Sequence, residues 1–94
     1  MKIGDITPWG KADDITVYKQ GIYFITTEGH GGFYLAQEYN LMIPLELRDE
    51  DGFYEEDEEA LKVYVYLFDV IESKLELPQK QYEEWFIEAF GKGF

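Results

Sequence analysis

The chain has 94 residues, of which 20 are Asp or Glu and 8 are Lys or Arg, so its formal charge at pH 7 is −12. Phosphate groups and anionic membrane surfaces attract clustered Lys and Arg, so this charge excludes an ordinary DNA- or RNA-binding module and a membrane-surface protein. The chain is also no disordered acidic tail, because 46% of its residues are hydrophobic and 18% are aromatic.

The length is that of one small domain, and we assign residues 1–94 to it. The chain has no cysteine, which excludes disulfides and thiolate metal sites and fits a reducing, cytoplasmic setting. Its first residues have no apolar run typical of a secretory signal, and its longest apolar run, residues 63–68, is too short to span a bilayer. We predict no cofactor.

The first half of the chain predicts strands. Residues 15–18 and 22–27 are β-branched and aromatic, and a turn at Gly21 joins them, which is typical of a β-hairpin. After a Gly-rich turn, residues 33–35 form a third predicted strand. The expected sheet is a meander of three antiparallel strands.

The second half predicts helices. Residues 36–47 favour one or two helical turns, broken by Asn40 and Pro44. Residues 55–68 fit both strand alternation and helical spacing, and we choose a helix because acids stabilise a helix N-terminus. A last helix begins near Pro78 and ends at Gly91. The predicted fold class is α+β, with a three-stranded antiparallel sheet packed against two main helices.

We call residues 46–59 the acidic segment, because nine of its side chains are carboxylates. They are Glu46, Asp49, Glu50, Asp51, Glu55, Glu56, Asp57, Glu58 and Glu59. One interpretation is a solvated helix start. The other is a surface that binds a basic partner, with Tyr54 as an aromatic anchor. Further acids of that predicted surface are Asp69, Glu72, Glu83 and Glu84.

Metal and catalytic motifs are weak. The carboxylate oxygens of Asp49, Asp51 and Glu55 could act as ligands of Ca²⁺ or Mg²⁺. Their spacing does not match an EF-hand, and we predict no metal site. His30 is the only histidine and lies in the Gly-rich turn. It is either a general base or a turn histidine that fixes the sheet, and we favour the second interpretation. No catalytic residue is assigned.

A set of short motifs resembles an uncharacterised domain of phage, plasmid and other mobile-element proteins. The match covers about residues 5–68 and leaves out the last helix. The motifs are Thr7-Pro8-Trp9-Gly10, Gly21-Ile22-Tyr23-Phe24, Thr27, His30-Gly31-Gly32, Leu35, Pro44, Leu47-Arg48 and Gly52-Phe53-Tyr54-Glu55-Glu56-Asp57. The chain departs from the pattern at Glu28-Gly29 and at Phe53, where the domain prefers Trp. The resemblance implies a mobile-element setting in a bacterial host, where anti-CRISPR and anti-restriction proteins that mimic DNA are the nearest functional analogy.

Three functions remain open at this point. The first is an inhibitor that occupies the basic nucleic-acid groove of a host defence or DNA-processing complex. The second is a small enzyme or metal-dependent site that uses His30 with Glu55 or Asp57. The third is a plain protein interaction module without nucleic-acid mimicry. A homodimer through the last helix is also open, with candidate contacts at Tyr82, Trp85, Phe86 and Phe90.

Overall fold

Six strands form two antiparallel sheets in the computed structural model, which describes residues 1–93. A small hairpin of β1 and β2 opens the chain, and the main sheet has the spatial order β3-β4-β5-β6. The strands are β1 (Ile6–Thr7), β2 (Gly10–Lys11), β3 (Asp14–Lys19), β4 (Ile22–Thr26), β5 (Gly31–Leu35) and β6 (Phe53–Glu55). The α+β class and the antiparallel meander of β3, β4 and β5 are therefore confirmed.

The predicted number of strands in the main sheet, three, is wrong. The fourth strand, β6, pairs with β5 so that Gly32 is opposite Glu55 and Tyr34 is opposite Phe53. A strand of three residues is too short to show a period-2 pattern, and a residue as acidic as Glu55 is unfavourable in strands. The long-range pairing with β5, not the local sequence, creates β6.

Four α-helices and two short 3₁₀ turns make up the rest of the fold. The helices are α1 (Gln37–Asn40), α2 (Ala60–Tyr66), α3 (Phe68–Ile71) and α4 (Gln79–Phe90), and the 3₁₀ turns are Leu45–Leu47 and Glu72–Lys74. The prediction of two main helices therefore holds only coarsely. The helix chosen for residues 55–68 begins at Ala60 instead, because residues 56–59 form a turn. Every helix within residues 1–93 is too short or too polar to cross a membrane.

The largest apolar cluster lies between one face of the sheet and helices α2 and α3. Phe33 and Tyr54 from the sheet pack there with Val63, Leu67 and Ile71. The opposite face carries a smaller cluster of Ala12, Tyr23 and Ile25. Helix α4 packs on α2, with Tyr82 and Phe86 buried against Val65. Tyr82 and Phe86 are consequently core residues with 7% and 0% of their surface exposed, which leaves little surface there for the predicted dimer contacts.

Candidate functional site: the corner at His30 and the acidic groove

The β1–β2 hairpin and the turn after β4 meet at one corner of the sheet. The Thr7 hydroxyl donates a hydrogen bond to the Gly10 carbonyl at 2.8 Å and so closes the hairpin. The Thr27 hydroxyl lies 3.1 Å from the Trp9 carbonyl oxygen and also reaches the His30 carbonyl. The two turns are thereby held together, although they are distant in sequence.

Gly32 allows the close packing of this corner. A Cβ at Gly32 would overlap the Tyr54 carbonyl oxygen and would lie 2.7 Å from the ring of Trp9. The Trp9 ring meets the edge of Phe53 with a centroid distance of 5.7 Å. Glycine therefore lets the indole lie directly on the β5–β6 pair.

The corner brings His30 next to the end of β6. The Nδ1 atom of His30 lies 3.6 Å from a Glu55 carboxylate oxygen and 4.0 Å from a Glu56 carboxylate oxygen. The Glu56 carboxylate also accepts a hydrogen bond from the Gly31 amide at 3.1 Å. Of the two acids in the alternative site of His30 with Glu55 or Asp57, Glu55 lies beside the imidazole, and the second acid within 4.0 Å is Glu56.

Exposure limits what this corner can do chemically. The side chain of His30 is 66% exposed, and those of Glu55 and Glu56 are 47% and 42% exposed. Water screens charges in such a setting, so the three groups interact weakly. In the part of the chain that the structure describes, His, Asp and Glu side chains form no group of three that could hold a metal ion.

An open groove of about 370 Å³ lies at the same end of β6, and we call it the acidic groove. Its apolar walls are Phe24, Leu61, Tyr64 and Trp85. Its rim carries three consecutive carboxylates, Glu56, Asp57 and Glu58. Trp85 remains 41% exposed, although it lies in a helix whose other large aromatic residues are buried or partly buried. The groove combines apolar walls with a purely negative rim.

The aromatic walls are held by further rings below them. Tyr82 stacks on Tyr64 with a centroid distance of 4.7 Å and meets the edge of Trp85 at 6.0 Å. Burial, followed by the neighbouring phenols of Tyr18 and Tyr82, raises the pKa of Tyr64 to about 12. Tyr64 therefore stays neutral at physiological pH, and the charge of the groove comes from its carboxylates.

Asp57 on the rim has a left-handed backbone conformation with φ 77°. Among residues 1–93 it is the only residue other than glycine with a positive φ. Asp tolerates this region better than most residues, but glycine would adopt it at lower cost. The turn of residues 56–59 thus carries a carboxylate at a position where glycine would be the easier choice.

The far end of β6 uses its acids differently. The Asp49 carboxylate accepts hydrogen bonds from the amides of Asp51 and Phe53, at 3.0 and 2.9 Å, and closes the loop before the strand. The Tyr54 hydroxyl donates to Asn40 at 2.6 Å and accepts from the Asp49 amide at 2.9 Å. Tyr54 is fully buried, so the prediction that it contacts a partner is wrong.

The acidic segment therefore does not form one continuous surface. The three residues of β6 lie between Asp51 and Glu56, and such a strand extends roughly 10 Å at 3.3 Å per residue. Glu59 also has an internal role, because it forms an ion pair of 2.7 Å with the buried Lys62. The remaining predicted acids outside the groove are exposed or partly buried: Glu46, Glu50, Asp69, Glu72, Glu83 and Glu84.

Comparison with known families decides the classification. A family model described as Domain of unknown function (DUF7007) matches residues 2–93. The chain belongs to this family. The DUF7007 match extends through α4, beyond the residues 5–68 over which the motifs carry the resemblance. No curated protein and no solved structure matches the chain significantly.

The groove walls of this DUF7007 domain were not predicted as a site. Phe24, Leu61, Tyr64 and Trp85 come from β4, α2 and α4, and only the tertiary fold brings them together. The one local signal is Trp85, which lies three residues after Tyr82 on a helix, at the margin of the apolar face. The sequence placed it on that face but could not show that it stays exposed.

Proposed function

We propose that this domain is a binding protein that places its acidic surface on a basic protein partner. The observation that carries the proposal is the acidic groove, where three carboxylates lie beside aromatic walls that include the exposed Trp85. A formal charge of −12 would steer the domain towards a basic surface over long distances. Aromatic side chains supply the contact area that charge alone does not give.

The partner that fits this surface best is a complex with a basic groove for DNA or RNA. Carboxylates on a folded surface occupy the positions of phosphates and meet the same Lys and Arg side chains. The resemblance to mobile-element proteins favours a host defence complex, and inhibition of CRISPR or restriction systems is the role we propose. Acidic groups at the two ends of β6 would allow contacts at two points along such a groove.

Charge reversal at the two ends of β6 tests the proposal. One variant carries Glu55→Lys and Glu58→Lys beside the acidic groove, and the other carries Glu50→Lys and Asp51→Lys at the far end of β6. In each variant the formal charge rises by four units, from −12 to −8. We expect wild-type bait to capture a basic protein from bacterial lysate. We further expect its affinity for the purified partner to fall at least about tenfold from 50 to 200 mM salt. An affinity that does not change with salt would contradict the proposal.

The comparison of the two variants locates the contact. Because net charge is identical in both, we expect the reversal beside the acidic groove to weaken capture by at least about tenfold more than the reversal at the far end. Competition with labelled duplex DNA then separates mimicry from plain protein binding. Displacement of DNA from the partner supports mimicry, whereas a ternary complex supports the plain interaction module.

A catalytic role of His30 is the second candidate, because its Nδ1 atom lies 3.6 Å from Glu55. A carboxylate at this position could orient an imidazole that acts as a general base. The open setting argues against it, since a general base needs a substrate held within hydrogen-bond reach and the groove walls do not include His30. His30→Ala should leave partner binding and inhibition within about twofold of wild type, whereas a catalytic role predicts a loss of about a hundredfold or more.

A further inference from the structure

We propose that the acidic groove accepts an arginine side chain presented by the protein partner. This inference rests on the proposed function and specifies the chemistry of its central contact. The occupant must complement three carboxylates on the rim and aromatic rings in the walls. A guanidinium group does both, because its flat face stacks on aromatic rings while its edge donates hydrogen bonds to carboxylates.

The charge of the groove has no cation of its own to balance it. Within the described chain, the lining of the groove includes neither Lys nor Arg. Lys62 lies on the adjacent helix α2, but its ammonium group is already 2.7 Å from Glu59 and 5.3 Å from the ring centroid of Phe90. Glu56 is held by the Gly31 amide at 3.1 Å. Asp57 and Glu58, both exposed, therefore remain available to a cation from outside.

The walls favour arginine over other occupants. An apolar side chain would fit the rings but would remove water from the rim carboxylates without replacing it, which is unfavourable. A lysine ammonium is compact and strongly hydrated, so it gains less from the aromatic walls than a guanidinium. Phosphates are excluded because the rim would repel them.

The cation does not come from a second copy of this chain. Arg48 is the single arginine of the sequence. Its Nε atom donates to the Ile43 carbonyl at 2.9 Å, and its terminal nitrogen lies 3.3 Å from the Leu41 carbonyl oxygen. Because Arg48 is engaged in its own loop, we assign the occupant to a different protein.

Short peptides provide a direct probe of the groove. Acetyl-Gly-Ala-Arg-Ala-Gly-amide is titrated into the full chain, and the indole N–H signals of Trp85 and Trp9 are followed by NMR. We expect a saturable shift at Trp85 and none at Trp9, which lies on the β5–β6 pair outside the groove lining. The same peptide with citrulline keeps the shape without the charge, and we expect its affinity to be about tenfold lower.

Matched variants complete the test. Trp85→Ala should weaken arginine binding about tenfold, and Asp57→Asn with Glu58→Gln should do the same. Trp85→Leu, which keeps an apolar wall, checks that lost stacking rather than a damaged fold causes the effect. Glu50→Gln with Asp51→Asn makes an equal charge change at the far end and should leave the affinity within about twofold.

Several results would overturn the inference. Two further peptides replace the arginine by leucine or by lysine. Equal affinity for the citrulline or the leucine peptide would show that charge is not recognised, and equal affinity for the lysine peptide would show that arginine is not selected. The absence of a shift with every peptide would also overturn it. If Trp85→Ala keeps full capture of the basic partner while charge reversal abolishes it, the arginine site fails and the proposed function stands. If capture does not depend on charge, the proposed function fails regardless of the peptides.

Discussion

At one end of β6 the Asp49 carboxylate turns inward and accepts two backbone hydrogen bonds, while at the other end Asp57 and Glu58 face solvent beside the acidic groove. Both ends belong to one run of acids that is nearly uniform in sequence. The comparison shows that charge density does not define a site. Acids whose oxygens already bind the backbone contribute to folding, and acids left on an aromatic rim are available to a partner.

We call the end of β6 beside the acidic groove the near end. Its packing explains why Asp57 and Glu58 can remain exposed to solvent. The β1–β2 hairpin, Gly32 and Trp9 hold β5 and β6 together without using any carboxylate except that of Glu56. At the far end, Asp49, Asn40 and Tyr54 hold the loop before β6 by hydrogen bonds. The near end combines close packing at Gly32 with hydrogen bonds from Thr7 and Thr27, whereas the far end depends on the inward Asp49 carboxylate.

The largest predicted effect concerns the packing of the near end. Gly32→Ala should lower the free energy of unfolding by about 3 kcal/mol, because the new methyl group would collide with the Tyr54 carbonyl and the Trp9 ring. Urea denaturation measures the change. Gly29→Ala is the matched control, since a Cβ at that position has no atom within 4 Å and should change stability by less than about 0.5 kcal/mol. Equal effects of the two substitutions would show that the corner is not tightly packed.

The second prediction concerns the polar contacts of the far end. Asp49→Ala should cost about 1–2 kcal/mol, because the amides of Asp51 and Phe53 lose their acceptor. Asp51→Ala, two residues away and exposed, removes the same charge and should change stability by less than about 0.5 kcal/mol. Urea denaturation of the pair tests whether the inward carboxylate differs from its outward neighbour. Similar costs would remove the distinction on which the comparison rests.

Much of the fold could be predicted from local sequence. The β-branched and aromatic runs at 15–18 and 22–27 became β3 and β4, and the apolar spacing after Pro78 became α4, which is followed by Gly91 with φ 70°. In these segments, backbone preference and side-chain pattern agree, so the local signal is strong. The helical choice for residues 60–66 was also confirmed, because its apolar positions recur every three or four residues.

The site could be predicted only in part. The hypothesis of a site at His30 with Glu55 or Asp57 came from the motifs that the resemblance groups together, and in the structure His30 Nδ1 lies 3.6 Å from Glu55. β6 and the groove could not be predicted, because a strand of three residues depends on its partner and the groove walls come from three separate elements. The inward or outward direction of each acid is set by loop geometry, which the acidic composition does not encode.

A third prediction uses the alkaline pH dependence of a groove residue. The pKa of Tyr64 is raised to about 12 by burial, whereas an unfolded tyrosine titrates near 10. Between these values the folded state binds more protons than the unfolded state. The stabilisation is therefore complete below pH 10 and is lost as the pH rises towards 12. Tyr64→Phe should show a smaller loss of stability between about pH 9 and about pH 11.5.

The control for this titration is the stability of wild type and Tyr64→Phe at pH 7, from which the alkaline loss of each protein is measured. The expected difference for Tyr64→Phe is modest, because its ring is only partly buried and the phenols of Tyr18, Tyr54 and Tyr66, whose pKa values are also raised by burial, remain. A Tyr64→Phe variant with the full alkaline loss would contradict the packing of this ring.

The smallest effect separates folding from binding at the groove rim. Asp57→Gly should raise the free energy of unfolding by about 0.5 kcal/mol, because glycine relieves the left-handed backbone at φ 77°. The gain is small because glycine also increases the entropy of the unfolded chain. Asp51→Gly, at an exposed acid without a positive φ, should give no gain in urea denaturation. If Asp57→Gly stabilises the fold and weakens capture of the basic partner, the carboxylate at Asp57 serves binding at the expense of stability. If it weakens neither capture nor folding, Asp57 does not belong to the contact.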